Sequence, residues 1–257
     1  MKKDLHLYFE LIDVTEGELK PTEYEDINKR IGDLLQNYLS LLSNYKDYKS
    51  GFACDLDSLN IKVYKFNLAV LHVISFEEGG SRLDDSFIYF LIISSYIQNT
   101  LLEHGLLIRG VITLDTGLSN EPLESQMEVR KKLNSYPRIM IDPPLMRILS
   151  ANFAPPSSMM TFINNSILED WAINFFLNPF SISSLNPKQV EMPEKFRRLR
   201  INQLAEQIQA KVISENRYNL FEPARWNWGF ITWLNSKEFE GGDPANNFHF
   251  RFINLET

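Results

Sequence analysis

The sequence is poor in the residues on which several common kinds of protein depend. It contains one cysteine, Cys54, among 257 residues, so it cannot form an internal disulfide or a cysteine-rich zinc site, and it fits a reducing compartment. The longest apolar run, Phe87–Ile97, spans about eleven residues, whereas a membrane-spanning helix needs about 20. These absences predict a cytoplasmic protein with no membrane-inserted segment.

Basic residues are outnumbered by acidic ones. The chain carries 26 Lys and Arg against 33 Asp and Glu, which gives a formal net charge of −7. A broad nucleic-acid interface needs clustered cations that replace counterions, so this balance argues against a nucleic-acid partner. The hydrophobic content of 44% is high enough for a folded core and excludes a disordered chain.

Familiar catalytic motifs are also absent. The sequence has no P-loop, no G-x-G-x-x-G, no H-E-x-x-H and no G-x-S-x-G. The four histidines are scattered along the chain. His6 and His72 fall in predicted strands, where core packing is favoured over a metal pair, because metal ligands are usually more densely spaced.

The order of the predicted elements in the first half of the chain indicates an α+β fold. Apolar runs of strand length alternate with helical periodicity, which gives strand, helix, strand, strand, helix, strand, helix and strand. The predicted elements are Leu5–Ile12, 22–45, Leu59–Phe66, Ala69–Phe76, 85–104, Leu106–Leu114, Glu121–Leu133 and Arg138–Ile141. A βαββαβ core of this kind is ferredoxin-like, with helices packed on an antiparallel sheet.

The second half of the chain adds further elements to this core. The pattern predicts a short helix after Pro143-Pro144, a hairpin, a proline-rich linker, two helices and a short final strand. The hairpin is formed by Met159–Ile163 and Leu168–Phe176, and the linker is Asn178–Pro193. The first of the two helices covers about 194–215, Glu222-Pro223 opens the second, and the final strand covers about Asn247–Ile253. We therefore expect an α+β core over residues 1–178, with the extra hairpin, and a helical C-terminal segment with the short final strand over 179–257.

Three polar positions in apolar strands are candidates for chemistry. Glu10 lies inside the first strand and Asp13 just after it, and a carboxylate in an apolar strand is costly unless it is paired or bound to a metal. Both could be metal ligands, although Asp13 also suits a solvated strand end. Arg109 precedes Gly110 in a later strand, where a glycine marks a bulge or a close backbone approach. Arg109 could bind a phosphate or carboxylate, or could be a surface residue.

Four segments, in order and spacing, resemble a bacterial family related to class III nucleotide cyclases, which includes the pyrimidine cyclases of Pycsar antiphage defence. They are Arg109–Gly117, Tyr136–Asp142, Ile167–Phe176 and Arg225–Trp228. The resemblance covers residues 5–237. It implies a head-to-tail dimer with sites at the interface, formed with a second copy or with an active relative.

The resemblance also implies a metal site, and the sequence departs from it. Active relatives use one acidic residue on the first strand and one in the following hairpin to bind two Mg²⁺ or Mn²⁺ ions. Glu10 or Asp13 stands near the first position. The hairpin has Asn67 where an aspartate is expected, and no carboxylate lies between Asp57 and Glu77. Losing one of the two metal-binding carboxylates would remove on the order of several kcal/mol of the electrostatic stabilisation of the transition state.

These features predict a catalytically degenerate cyclase-homology protein that binds a nucleotide or a partner as a regulator, in antiphage signalling as the resemblance suggests. The predicted nucleotide-binding residues are Asn67, Arg109, Asp115 and Glu128. Two alternatives stay open. One is an active cyclase with a non-standard metal site built from Glu10, Asp13 and Asp115. The other is a purely structural assembly protein.

Overall fold

Seven strands and four helices are defined in the described part of the chain. The computed structural model describes residues 2–12, 60–66, 69–77, 82–115, 136–152, 160–164, 169–173 and 194–239, with six positions between Thr22 and Asp33. The strands are β1 (Lys2–Leu11), β2 (Asn60–Phe66), β3 (Ala69–Glu77), β4 (Ile108–Leu114), β5 (Ile139–Ile141), β6 (Met160–Asn164) and β7 (Glu169–Ile173). The helices are α1 (Arg82–Glu103), α2 (Pro143–Asn152), α3 (Glu194–Ser214) and α4 (Tyr218–Phe239).

The strands form one sheet in the order β2-β3-β1-β4-β5-β7-β6. Strand β1 lies between β3 and β4 and is antiparallel to both. The pairs β2–β3, β5–β7 and β6–β7 are also antiparallel, whereas β4 and β5 are parallel. Helices and a mostly antiparallel sheet make an α+β fold, as the sequence predicts. The predicted hairpin in the second half of the chain is confirmed, with Asn164 opposite Glu169. The predicted strands Leu59–Phe66 and Ala69–Phe76 pair as β2 and β3, with Phe66 opposite Ala69, rather than forming one long bent strand.

The sheet has two faces because side chains alternate along each strand. We call the side that carries Leu7 and Phe9 of β1 the first face. It belongs to a large apolar core that also contains Phe87 and Phe90 of α1 and Leu145 of α2. We call the side that carries the even-numbered residues of β1 the second face. Its buried apolar residues form a smaller cluster, made by Tyr8, Ala69, Leu71, Val73, Val111 and Met140.

Helix α1 is buried on several sides, as its nearly continuous apolar sequence predicts. Most of its apolar side chains belong to the sheet core, whereas Leu102 belongs to a second core with α3 and α4. The helix begins at Arg82 and so extends three residues before the predicted start. It ends at Glu103, the nearby Gly105 has φ 73°, and Leu106 N–H donates to the carbonyl of Leu101 at 3.0 Å. This is the usual helix ending at a left-handed glycine.

The prediction that Glu222-Pro223 opens the last helix is wrong. Asn216 adopts φ 55° after α3, and Arg217 N–H donates to the carbonyl of Val212 at 3.0 Å. This tight ending turns the chain at once, so α4 begins at Tyr218 and Pro223 lies inside it. The proline ring is accommodated in the second turn of a longer helix, rather than in the first turn where its missing N–H costs nothing.

Two predicted elements lie outside the described residues, namely the helix over Glu121–Leu133 and the strand near Asn247–Ile253. The six described positions of the predicted helix over 22–45 are all helical.

Among the helices that the structure describes, none combines the length and the apolar character that crossing a membrane requires.

Candidate functional site

Glu10 lies on the second face of the sheet, near the end of the interior strand β1. The register places it opposite Ala69 of β3 on one side and opposite Arg109 of β4 on the other. Its side chain is buried. A buried carboxylate is strongly unfavourable unless other groups compensate its charge and satisfy its oxygens, so its neighbours decide what it can bind.

Both carboxylate oxygens of Glu10 are occupied by neighbouring side chains. The hydroxyl of Tyr8 donates to Oε2 at 2.5 Å. Nε of Arg109 donates to Oε1 at 2.5 Å, and Nη2 of Arg109 also contacts Oε1. Arg109 therefore supplies, next to Glu10, the positive charge that a bound metal ion would otherwise supply. A metal ion would have to displace a guanidinium that makes two charge-assisted contacts, which are among the stronger hydrogen bonds in proteins.

Gly110 makes this pairing possible by letting β4 approach β1 closely. A Cβ atom at this position would lie 2.5 Å from the carbonyl oxygen of Tyr8, 2.9 Å from Cβ of Phe9 and 3.2 Å from Cγ1 of Ile139. The predicted close backbone approach at this glycine is confirmed. The neighbouring residue, Arg109, is thereby held directly opposite Glu10.

Two segments that are far apart in sequence, one with Tyr136 and Arg138 and one with Trp226, meet in the fold. The rings of Tyr136 and Trp226 stack at 5.2 Å between centroids, and Trp226 also stacks on Phe230 at 4.9 Å. The guanidinium carbon of Arg138 lies 5.7 Å from the centroid of Trp226 and 5.9 Å from that of Tyr136. Arg138 is only 1% exposed. Aromatic faces attract such a desolvated cation, so these rings hold Arg138 in place.

The two arginines occupy neighbouring positions on the sheet. The carbonyl of Arg138 accepts a hydrogen bond from Gly110 N–H at 2.8 Å, and Ile139 lies beside Gly110 in the parallel register. Ile139 belongs to the core on the first face. Alternation therefore turns Arg138 toward the second face, the side that carries Glu10 and Arg109. We call Glu10, Arg109 and Arg138 the charged row.

Asp115 lies at the opposite end of the sheet from this row. It follows β4, and its N–H donates to the carbonyl of Asp4 at 2.7 Å. Six residues separate Arg109 from Asp115, which corresponds to about 20 Å along a strand. The structure brings Glu10 and Arg109 together but keeps Asp115 apart from them, so a ligand set that combines Glu10 with Asp115 is not formed.

A second polar pair lies near Asp115. The hydroxyl of Thr113 donates to Oδ2 of Asp142 at 2.8 Å. Burial raises the pKa of Asp142, while the hydrogen bond from Thr113 and the charge of Arg147 oppose that shift. Asp142 immediately precedes α2, and its carbonyl accepts from Met146 N–H at 3.0 Å. The carbonyl contact is typical of the residue that precedes a helix, and the contact with Thr113 ties Asp142 to β4.

The remaining predicted site residues, Asp13, Asn67 and Glu128, lie outside the described residues. Within the residues that the structure does describe, no group of three or more His, Cys, Asp or Glu side chains is placed to hold a metal ion.

His6 and His72 do not form a pair. They lie on opposite faces of the sheet, since Leu7 rather than His6 is opposite His72. His72 packs against Phe9 and Phe90, and in the described part of the chain neither ring nitrogen has a hydrogen-bond partner. Burial, with a smaller effect from the charge of Lys65, lowers the pKa of His72 to about 3. It is a neutral core residue, as predicted.

Sequence reasoning missed the roles of Tyr8, Arg138 and Trp226 at this site. Tyr8 stands two residues before Glu10, a spacing that puts both side chains on one face of a strand, so this contact could have been found. The contact between Arg138 and Trp226 joins positions 88 residues apart in sequence, and no local pattern indicates it.

Comparison of the chain with protein-family models, with curated proteins and with solved structures gives no match. The functional interpretation therefore depends on the geometry of the charged row and on the sequence patterns.

Proposed function

We propose that the chain is a catalytically degenerate nucleotide cyclase-homology protein with a ferredoxin-like core. It binds a nucleotide or a protein partner in the cytoplasm and acts there as a regulator, as a homodimer, in antiphage signalling. The observation that carries this proposal is the state of Glu10. The carboxylate near the expected metal position is buried and already neutralised by Arg109, so it has little capacity left for a divalent ion.

The arrangement of the strands supports the ferredoxin-like part of the proposal. In a split βαβ unit another strand lies between the two parallel strands that a crossover joins. Strands β3 and β4 are both antiparallel to β1 and lie on either side of it, and α1 connects them. Likewise β3 lies between β1 and β2. The residues between β1 and β2 include the helical positions from Thr22 to Asp33.

The contact between the two motif segments supports the same interpretation. Tyr136 and Arg138 in one segment and Trp226 in the other stack on each other. Residues of the two segments are far apart in sequence but meet in the fold, so both segments contribute to one contact. This contact is structural, and it is compatible with loss of catalysis.

A turnover assay tests the catalytic part of the proposal. The purified chain is incubated with each of the four NTPs and with Mg²⁺ or Mn²⁺, and the products are separated by chromatography. We expect no cyclic nucleotide, because Glu10, the carboxylate that the structure describes at this site, is already paired with Arg109. Formation of a cyclic nucleotide by the unaltered chain, lost in Glu10→Gln, would establish an active cyclase instead.

Binding and assembly are measured separately. Calorimetry with NTPs and cyclic nucleotides is expected to give heat for at least one of them, and sedimentation equilibrium is expected to give a dimer. A monomer that gives no heat with any nucleotide would contradict both the homodimer and the nucleotide-binding form of the regulator. A dimer that gives none would favour the assembly protein.

A further inference from the structure

Helix α3 has an outer side with little charge. Its inner side packs in the second core through Ile201, Ala205, Ile208 and Val212. Between Arg200 and Lys211 the only charged residue is Glu206, and the other polar residues are asparagine and glutamine. The surface of a protein that stays in water is ordinarily richer in charge than this, whereas charged residues are depleted at the centre of protein interfaces. The composition of this helix therefore favours contact with a partner.

Five exposed residues form a line along the side of α3 that is opposite the core. They are Leu199, Gln203, Glu206, Ala210 and Ile213, and we call them the α3 seam. They recur at intervals of four, three, four and three residues, which is the heptad spacing of helices that pack in pairs. At 3.6 residues per turn all five lie within about 80° of the helix circumference. The large apolar side chains near its two ends, Leu199 and Ile213, are 46% and 51% exposed.

The order of the seam residues is complementary to a second copy of the same helix that runs antiparallel. From Leu199 to Ala210 the intervals are four, three and four residues, so they match when one copy is reversed. Leu199 then lies opposite Ala210 of the second copy, where a large side chain meets a small one. Gln203 lies opposite Glu206 of the second copy, where a carboxamide can donate to a carboxylate. A two-fold axis repeats both contacts.

Other arrangements of the two helices are less favourable. A parallel pair in register would place each Glu206 against its own copy, and like charges in contact across an interface are strongly unfavourable. In the antiparallel register each Glu206 meets a neutral donor instead. Nδ2 of Asn202 donates to Oε1 of Glu206 at 3.2 Å within the same helix, and this contact fixes the carboxylate while leaving it able to accept a further hydrogen bond.

We propose that two copies of the chain associate through the α3 seam, as an antiparallel helix pair about a two-fold axis. This inference rests on the homodimer part of the proposed function and names the surface that forms it. The seam extends for about 21 Å along the helix axis. A single helix pair of this length belongs to the small, transient class of interfaces, so the dissociation constant is expected on the order of micromolar or weaker.

Sedimentation equilibrium of the full chain, over roughly 1–200 µM, measures the association. We expect Ala210→Lys to weaken it at least tenfold, roughly, because a long charged side chain replaces a small one where the helices pack. Ala210 is exposed in the single chain, so the variant keeps its fold, which circular dichroism verifies. Glu222→Gln is the matched control, since it changes the net charge by the same amount at an exposed position of α4. It should leave the dissociation constant unchanged.

A cysteine experiment tests the register. In a Cys54→Ser background, chains with Leu199→Cys are mixed with chains with Ala210→Cys and oxidised. A disulfide needs Cα atoms about 4.4–6.8 Å apart, and the antiparallel register brings these two positions together. In either variant alone the two cysteines are eleven residues apart along the pair, or about 16 Å. We expect a covalent dimer in the mixture and little or none in either variant alone.

The outcomes separate the seam from the rest of the proposed function. A dimer that Ala210→Lys leaves as tight as the unaltered chain would overturn the seam and leave the homodimer, as would one that Glu222→Gln weakens equally. Cross-linking of Leu199→Cys with itself as readily as with Ala210→Cys would overturn the antiparallel register. A chain that is monomeric at every concentration would remove both the seam and the homodimer, while the titrations with nucleotides still decide whether it binds one.

Discussion

Replacing Gly110 by alanine should destabilise the protein, against the general trend for strands. A glycine in a strand interior ordinarily costs about 0.5–1 kcal/mol relative to alanine, so the substitution would normally stabilise. Here the new Cβ would lie 2.5 Å from the Tyr8 carbonyl oxygen and 2.9 Å from Cβ of Phe9. Neither atom can rotate away, because both are fixed by the pairing of β1 with β3 and β4. Overpacking of this kind costs about 1–3 kcal/mol.

The expected loss in the free energy of unfolding is therefore about 3 kcal/mol, at the upper end of that range. Urea unfolding followed by circular dichroism measures it, and for a chain of this size it corresponds to a melting temperature lower by about 6–12 °C. Gly32→Ala is the control. A Cβ at this helical position would be 3.4 Å from Nζ of Lys65, a flexible side-chain end, so it should stabilise by about 0.5–1 kcal/mol. A Gly110→Ala variant as stable as the unaltered chain would refute the close-approach argument.

Two further substitutions probe the core and the aromatic contact. His72→Leu should raise the free energy of unfolding at pH 7 by about 1–2 kcal/mol, because it removes buried nitrogens that lack partners. The substitution should also reduce the loss of stability in acid. The pKa of His72 in the folded protein, about 3, lies below the ordinary value of 6.5, so the unfolded chain binds the proton first. The free energy of unfolding therefore falls as pH drops from 6.5 toward 3, by at most about 1.4 kcal/mol per pH unit. Urea titrations at pH 7, 5 and 4 compare the two proteins, and an equal or steeper loss in the variant would contradict this account. Trp226→Leu should destabilise by about 2–4 kcal/mol, because it removes the stacking with Tyr136 and the ring that faces Arg138; an unchanged urea midpoint would show that these contacts contribute nothing.

Local patterns predicted most of the elements and few of the contacts between them. The pairing of β2 with β3 could be predicted from the sequence, because the two β-rich runs are separated only by Asn67-Leu68. The start of α4 was missed because its position depends on how α3 ends at Asn216, and proline preferences alone point to a later residue. Tertiary context overrides a propensity signal of this size.

At the candidate site, too, the sequence identified residues but not the contact between them. Glu10 was identified because a carboxylate inside an apolar strand demands compensation, and Arg109 because it stands beside a glycine within a strand. That they compensate each other depends on the register between β1 and β4, and these strands are about a hundred residues apart in sequence. A single sequence carries no signal for that register beyond the alternation that decides which residues share a face.

The position of β1 between β3 and β4 has a consequence for how the chain is made. These partners end at Glu77 and Leu114, so a ribosome that adds about 5–20 residues per second completes β3 about 3–13 seconds and β4 about 5–20 seconds after β1. Until β3 is complete, β1 is an apolar strand with both edges unpaired, and it is exposed to pairing with other chains. The buried charge of Glu10 within it, which the finished fold neutralises with Arg109, opposes such pairing until the proper strand arrives.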